Sequence, residues 1–165
     1  MDIVLTHGYF LEEDETEKRI MKPYPTLGIL SLSSYLKAEG FSVQVFDTTF
    51  RRQSEFRQWI DVHRPGVVGI SVNLMTKLNV LAQIRFCKSR GCTVVVGGPD
   101  VPAYADDYLR FGADVAVLGE GEQTIAELLP ALEKRLPLGK IPGIAFRNEH
   151  GACVRTAPRT LIPDL

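Results

Sequence analysis

Five short apolar runs rich in β-branched residues, at 3–5, 41–46, 67–71, 93–96 and 115–118, alternate along this chain with longer stretches of helical periodicity. Strands separated in this way by helices pair in parallel, through right-handed crossovers that lay helices on both faces of one sheet. The alternation therefore predicts a doubly wound α/β fold with five parallel strands. Its helices are expected at 26–39, 53–63, 77–90, 102–111 and 122–135, with Pro25 before the first and Gly40 and Gly91 standing as C-caps. Beyond Pro137 the texture changes. The runs 141–147 and 152–155 flank a polar Asn148-Glu149-His150-Gly151 turn and predict a β-hairpin appended at the sheet edge. The expected organisation is one α/β domain over 1–136, an appended hairpin of the same domain over 137–156, and a linker over 157–165 that carries Pro158 and Pro163.

A length of 165 residues suits one domain with a core of its own. Lys plus Arg number 19 against 20 Asp plus Glu, a net charge of −1, so no basic excess exists to neutralise phosphates and nucleic acid is not an expected partner. Cys87, Cys92 and Cys153 show neither Cys-x-x-Cys nor cluster spacing, and are expected to be idle thiols of a reducing cytoplasm. No run approaches the ~20 apolar residues of a membrane helix, and the opening Met1-Asp2-Ile3 lacks the basic start of a signal peptide. A cytoplasmic protein without a membrane span is expected.

In open sheets of this kind ligands bind beyond the carboxyl ends of the strands. The relevant loops begin near His7, Asp47, Ser71, Gly97 and Gly119. Gly97-Gly98, followed by Pro99, either lets a bulky ligand lie against the backbone or simply forms a tight turn. Ser71 leads into Val72-Asn73-Leu74-Met75-Thr76, whose polar side chains can bond a ligand, although Thr76 also suits a helix N-cap. In Gly119-Glu120-Gly121-Glu122 the second acid is explained by the macrodipole of the helix it opens. Glu120 has no such local role and is either a contact to ligand hydroxyls or amides or a solvated acid.

The 8–25 connection, with Glu12, Glu13, Asp14, Glu15 and Glu17, is long enough to be a functional lid or a disordered segment. Its acids read as a solvated face rather than a metal site. His7 is expected to hydrogen-bond within its turn rather than to ligate a metal, and His63 and His150 fall in surface turns. A phosphate-binding Gly-x-x-x-x-Gly-Lys loop, a dinucleotide Gly-x-Gly-x-x-Gly and a Ser, His and acid grouping are all missing, and no catalytic residue is assigned.

Taken in order, Tyr24-Pro25-Thr26-Leu27-Gly28-Ile29-Leu30, Tyr35-Leu36-Lys37-Ala38-Glu39-Gly40, Val68-Gly69-Ile70-Ser71, Val96-Gly97-Gly98-Pro99 and Gly119-Glu120-Gly121-Glu122 resemble the N-terminal cobalamin-binding domain of B12-dependent radical SAM enzymes. The 141–147 run and the Pro158-Arg159 to Pro163-Asp164-Leu165 exit extend the resemblance over nearly the whole chain. It implies a flavodoxin-like, Rossmann-like sheet of order 2-1-3-4-5 that binds cobalamin, with Ser71 and Gly97-Gly98 in the loops that take the nucleotide tail. His7, Gly8, Tyr9, Asp47, the 72–76 segment, Pro99 and 119–121 would complete the site. The Asp-x-His-x-x-Gly motif of the methionine synthase type is absent, since its place reads Thr6-His7-Gly8-Tyr9-Phe10. The resemblance thus implies cofactor binding without a protein His on cobalt, with Tyr9, Leu74 or Met75 over the lower face. It also implies a radical SAM catalytic domain, in cis or in trans, with S-adenosylmethionine and a 4Fe-4S cluster, and the chain ends about where such a barrel would begin. The alternative is a signalling or protein-interaction module on the same fold, without cobalamin.

Overall fold

A computed structural model describes residues 1–23 and 25–160. Its strands are β1 Ile3–His7, β2 Val43–Phe46, β3 Val67–Ser71, β4 Thr93–Gly97, β5 Val115–Val117, β6 Ile144–Arg147 and β7 Cys153–Arg155. Its helices are α1 Glu15–Ile20, α2 Leu27–Ala38, α3 Gln53–His63, α4 Lys77–Ser89, α5 Val101–Arg110 and α6 Glu122–Glu133. All seven strands join one sheet of order β2-β1-β3-β4-β5-β6-β7. The first five are parallel in the expected 2-1-3-4-5 order, and β6 and β7 add antiparallel rungs beyond β5, as the hairpin pattern predicts.

The strand sequences read as continuous apolar runs because the central strands are covered on both sides. Alternate residues serve two cores. Val4, Val68, Ile70, Val94 and Val96 pack under α3, α4 and α5 with Phe56, Ile60, Ile84 and Tyr108. Ile3, Leu5, Val95, Val115 and Val117 face the opposite way, against Ile29 and Leu36 of α2 and Ile125 and Leu128 of α6.

The 8–25 connection departs from expectation. Instead of an open lid it holds a 3-10 turn at Leu11–Glu13 and then α1. Two of its acids pin it down: Asp14 Oδ1 accepts from Thr16 N and Glu17 N at 2.9 and 3.0 Å, capping α1, while Glu13 accepts from Gln53 N, at the start of α3, at 2.8 Å. None of the α1 residues is buried, which explains why no apolar periodicity announced the helix. Tyr24 and the 161–165 part of the expected exit linker lie outside the described residues. Among the described residues, no helix is long and apolar enough to cross a membrane.

One backbone position holds the carboxyl edge together. Gly98 sits at φ +113°, and a Cβ there would lie 2.5 Å from the Val72 carbonyl oxygen and 3.0 Å from its nitrogen. A side chain meets both a disfavoured dihedral and backbone atoms that cannot rotate away. Gly98→Ala is expected to destabilise the domain by about 2 kcal/mol or more in urea unfolding, and an unchanged midpoint would refute this account.

Candidate functional site at the carboxyl ends of the strands

A cavity of about 260 Å³ opens at the carboxyl edge, on the α2 and α6 side of the sheet. Its floor is Leu5, Gly69, Val95 and Val117, from four adjacent strands. Gly28, Ile29 and Leu32 of α2 form one wall, and Gly121, Glu122 and Ile125 at the start of α6 form the other. Ser71, Gly97, Gly98, Gly119 and Glu120 make the rim. Gly97 keeps the floor open, because a Cβ built there meets only the Val117 Cβ within 4 Å, at 3.7 Å. A second hollow of about 410 Å³, around Met1, Gly66, Thr93 and Pro130, lies at the amino ends of the strands. Parallel sheets bind ligands at the other end, where helix N-termini and connecting loops converge, so the smaller chamber is the candidate site.

Six of the sequence-predicted residues thus meet in one place: Ser71, Gly97, Gly98, Gly119, Glu120 and Gly121. The rest of the 71–76 loop does other things. Val72 is buried in the core on the far face. Asn73 and Thr76 close a turn on each other, with Thr76 N donating to Asn73 Oδ1 at 2.9 Å and Asn73 N donating to Thr76 Oγ1 at 3.2 Å. Thr76 therefore precedes α4 without making the side-chain N-cap bond expected of it. Leu74 and Met75 project from this loop, 72% and 82% exposed. Pro99 is exposed and does not line the cavity.

His7, Gly8, Tyr9 and Asp47 form a separate cluster where β1 and β2 end. His7 Nε2 lies 2.9 Å from Asp47 Oδ1 and 3.3 Å from Thr48 N, and His7 Nδ1 accepts from Tyr9 N at 3.2 Å. Thr48 Oγ1 lies 3.0 Å from Nδ1, so both ring nitrogens are engaged. Gln83 Nε2 donates to the His7 carbonyl at 3.0 Å and Asn79 Nδ2 to the Gly8 carbonyl at 2.9 Å, which ties the cluster to α4. The imidazole is buried and does not reach the cavity. Its bonds run to Asp47 and Thr48 in the loop after β2 as well as to Tyr9 in its own turn.

Sequence reasoning missed the apolar walls, which are indistinguishable from core in a pattern of apolar residues. It also missed an anchor beside the rim. Asp100 is buried, accepts from the Tyr108 hydroxyl, and pairs with Lys77 Nζ at 3.3 Å. The same ammonium lies 3.6 Å from the Tyr104 ring centroid, so the loop after β4 is held to the start of α4 by an ion pair and a cation–π contact.

Residues 19–129 match the B12 binding domain family, a span that includes every cavity-lining residue but Leu5. The chain belongs to this family. This B12-binding domain is 32% identical over 149 residues to the anaerobic magnesium-protoporphyrin IX monomethyl ester cyclase of Synechocystis sp., covering 86% of the chain and 30% of the relative. It is 29% identical over 131 residues to the hopanoid C-3 methylase of Methylococcus capsulatus, covering 76% of the chain and 25% of the relative. Among solved structures it superimposes on the radical S-adenosylmethionine methyltransferase TsrM of Kitasatospora setae, with cobalamin and a 4Fe-4S cluster bound. The TM-score is 0.77 at 23% identity, over 97% of this chain and 29% of that one. It also superimposes on the cobalamin-dependent radical enzyme OxsB with aqua-cobalamin and S-adenosylmethionine bound, at TM-score 0.80 and 22% identity, over 96% of this chain and 22% of that one. The two superpositions establish the fold. The domain spans less than a third of the length of each of these relatives. No observation favours the signalling or interaction module.

The His7 cluster gives the domain a pH signature. Burial pushes the imidazole below its ordinary 6.5, outweighing the Asp47 carboxylate that acts to raise it. Burial acts to raise Asp47, but hydrogen bonds from Thr49 and His7 outweigh it and hold that group below its ordinary 3.8. Below pH 6.5 the unfolded chain takes up a proton that the folded imidazole resists, so the His7 contribution is complete above 6.5 and is lost as the pH falls beneath it. Asp47 adds its own loss only below 3.8. Urea titrations from pH 7.5 to 5 are expected to show stability declining from about pH 6.5, with a flatter profile in His7→Gln. Identical slopes in the two proteins would contradict the assignment.

Proposed function

We propose that this B12-binding domain takes the nucleotide tail of cobalamin into the 260 Å³ cavity, lays the corrin over the rim, and serves as the cofactor half of a B12-dependent radical SAM enzyme. The cavity is the observation that carries the reading. Its floor is apolar, Gly97 leaves it open, and it lies in an α/β sheet at the strand ends. A heteroaromatic base the size of an indole buries about 150–250 Å². At ~25 cal/mol/Å² that is worth about 4–6 kcal/mol before ordering costs, enough for the tail to dominate affinity.

Ser71 offers a hydroxyl at the rim, and Glu120 stands across from it. Leu74 and Met75 present exposed apolar surface suited to the lower face of a flat macrocycle. Tyr9 is 9% exposed and its hydroxyl donates to Glu17 at 3.0 Å, so it is the less available of the three candidates. Binding without a protein imidazole on cobalt is supported by the double engagement of the His7 ring. Bound here, cobalamin supplies the chemistry of methyl transfer or radical rearrangement. A radical SAM domain carrying S-adenosylmethionine and a 4Fe-4S cluster, in cis or in trans, would direct it.

The segment leading out of β7 supports delivery of such a domain to the cavity side. Arg159 donates to Thr124 Oγ1 at 2.9 Å, to Gln123 Oε1 at 3.3 Å and to Glu127 Oε2 at 2.8 Å, all on the helix that forms one cavity wall. Of the expected 157–165 linker, the first residues are therefore docked rather than free. A reducing cytoplasm is the proposed compartment, in keeping with a Cys87 thiol that burial pushes up to about 12 and so keeps protonated.

Purified domain mixed with hydroxocobalamin is expected to keep a bound cobalamin spectrum through gel filtration. Gly97→Leu, which projects a side chain from the rim toward the Val117 floor, is expected to weaken binding by ~100-fold or more while the fold persists by circular dichroism. Loss of all cobalamin from wild-type protein at micromolar concentration would overturn the reading.

A further inference from the structure

The cavity is apolar in its depth, yet one charged side chain is built into its wall. Glu122, the first residue of α6, is 8% exposed and lines the chamber with Gly121 and Ile125. Among the described residues the donor to its carboxylate is Ser31, whose hydroxyl reaches Oε1 at 3.3 Å across the gap between α2 and α6. A carboxylate has about four acceptor sites, and one long hydrogen bond leaves most of that capacity open where the side chain meets the chamber. The neighbouring α6 acid, Glu127, is by contrast half exposed and paired with Arg159. A favourable interaction with the start of the helix explains an acid at this position, but not its burial against the chamber.

Resting on the cobalamin reading above, we propose that Glu122 accepts a hydrogen bond from a ribose hydroxyl of the nucleotide tail and sets the direction in which the tail enters. The tail has three parts, and their chemistry sorts them. The dimethylbenzimidazole base carries no N–H and suits the apolar floor. The phosphate is an anion, which a buried carboxylate repels, so it stays at the rim. The ribose between them carries hydroxyl donors and follows the base to the level of the wall where Glu122 stands. Ser31 fixes the carboxylate from the outer side, leaving its remaining acceptor sites to the chamber.

The test compares ligands with and without the sugar on proteins with and without the charge. Wild type and Glu122→Gln, which keeps the shape and can still accept from Ser31, are titrated by NMR with 1,5,6-trimethylbenzimidazole, whose N-methyl group removes the N–H that the free base would carry, and with the 5,6-dimethylbenzimidazole riboside. Both are also titrated with hydroxocobalamin, followed by absorbance. Wild type is expected to favour the riboside over the bare base by ~10-fold, and the variant by less than ~2-fold. Cobalamin affinity is expected to fall ~10-fold in the variant, with its thermal midpoint lowered by no more than the few degrees that losing the helix-terminus interaction accounts for. A riboside preference that survives in Glu122→Gln, or equal loss of base and riboside binding, would overturn the proposal. Wild-type protein that takes up no cobalamin would overturn the cofactor reading first and this proposal with it. Cobalamin bound equally by both proteins would overturn this proposal alone.

Discussion

Val72 N donates to the Gly97 carbonyl at 2.8 Å, one step past the last paired residue of β3. This extra rung carries the β3–β4 ladder into the loops, at the point where the cavity rim begins. It can form because Gly98 turns away at φ +113° with no side chain to collide with Val72. The backbone of one loop then lies directly against the other. Ser71 and Gly97, register partners in the ladder, thereby become a rigid rim rather than two independent loop residues. Loops held this way cost little ordering entropy when a ligand arrives.

The same rung separates two kinds of strand end. On the α4 side the ends are filled. His7, Thr48, Tyr9 and Gln83 bond to one another, and a Cβ on Gly8 would stand 2.6 Å from the Val80 side chain, so α4 closes down on β1. On the α2 and α6 side the ends are left open. Hydrogen-bonded turns and tight packing give the first region its rigidity, and the second region its fixed boundary.

The parallel α/β class and the appended hairpin were legible in the sequence because alternating β-branched runs and helical periods are set by local physics, whereas the 2-1-3-4-5 order came from the family resemblance. Gly97-Gly98 and Gly119 to Gly121 were legible as candidates, and they line the cavity, because small residues directly after buried strands carry few structural explanations. Leu5, Ile29, Val95, Val117 and Ile125 were not, since an apolar wall awaiting a ligand and an apolar core obey the same pattern. The role of His7 depends on Asp47 and Thr48, 40 and 41 residues away, and no spacing rule reports a contact of that range. α1 stayed hidden for the opposite reason. A helix that buries nothing leaves no periodic trace, and only its Asp14 cap marks it.

Why the chamber lies on one face of the sheet and not the other comes down to how the helices start. Three helices, α3, α4 and α5, cover the first face and bring Phe56, Ile84 and Tyr108 against the strands. The second face has α2 and α6 over the parallel strands, and each carries a glycine at its start, Gly28 as the second residue of α2 and Gly121 just before α6. A Cβ on Gly28 would meet nothing within 4 Å, and one on Gly121 would only graze Leu32 and Ile125 at 3.8 Å. Longer side chains at these two places would bridge the gap and seal the chamber as ordinary core. With glycine there, apolar floor remains without contact partners, a deficit of the kind that destabilises a core when a cavity is cut into it. A ligand whose base fills the space restores those contacts. The fold and the cofactor are then coupled, and stability rises with occupancy in proportion to the logarithm of free ligand once the site is saturated.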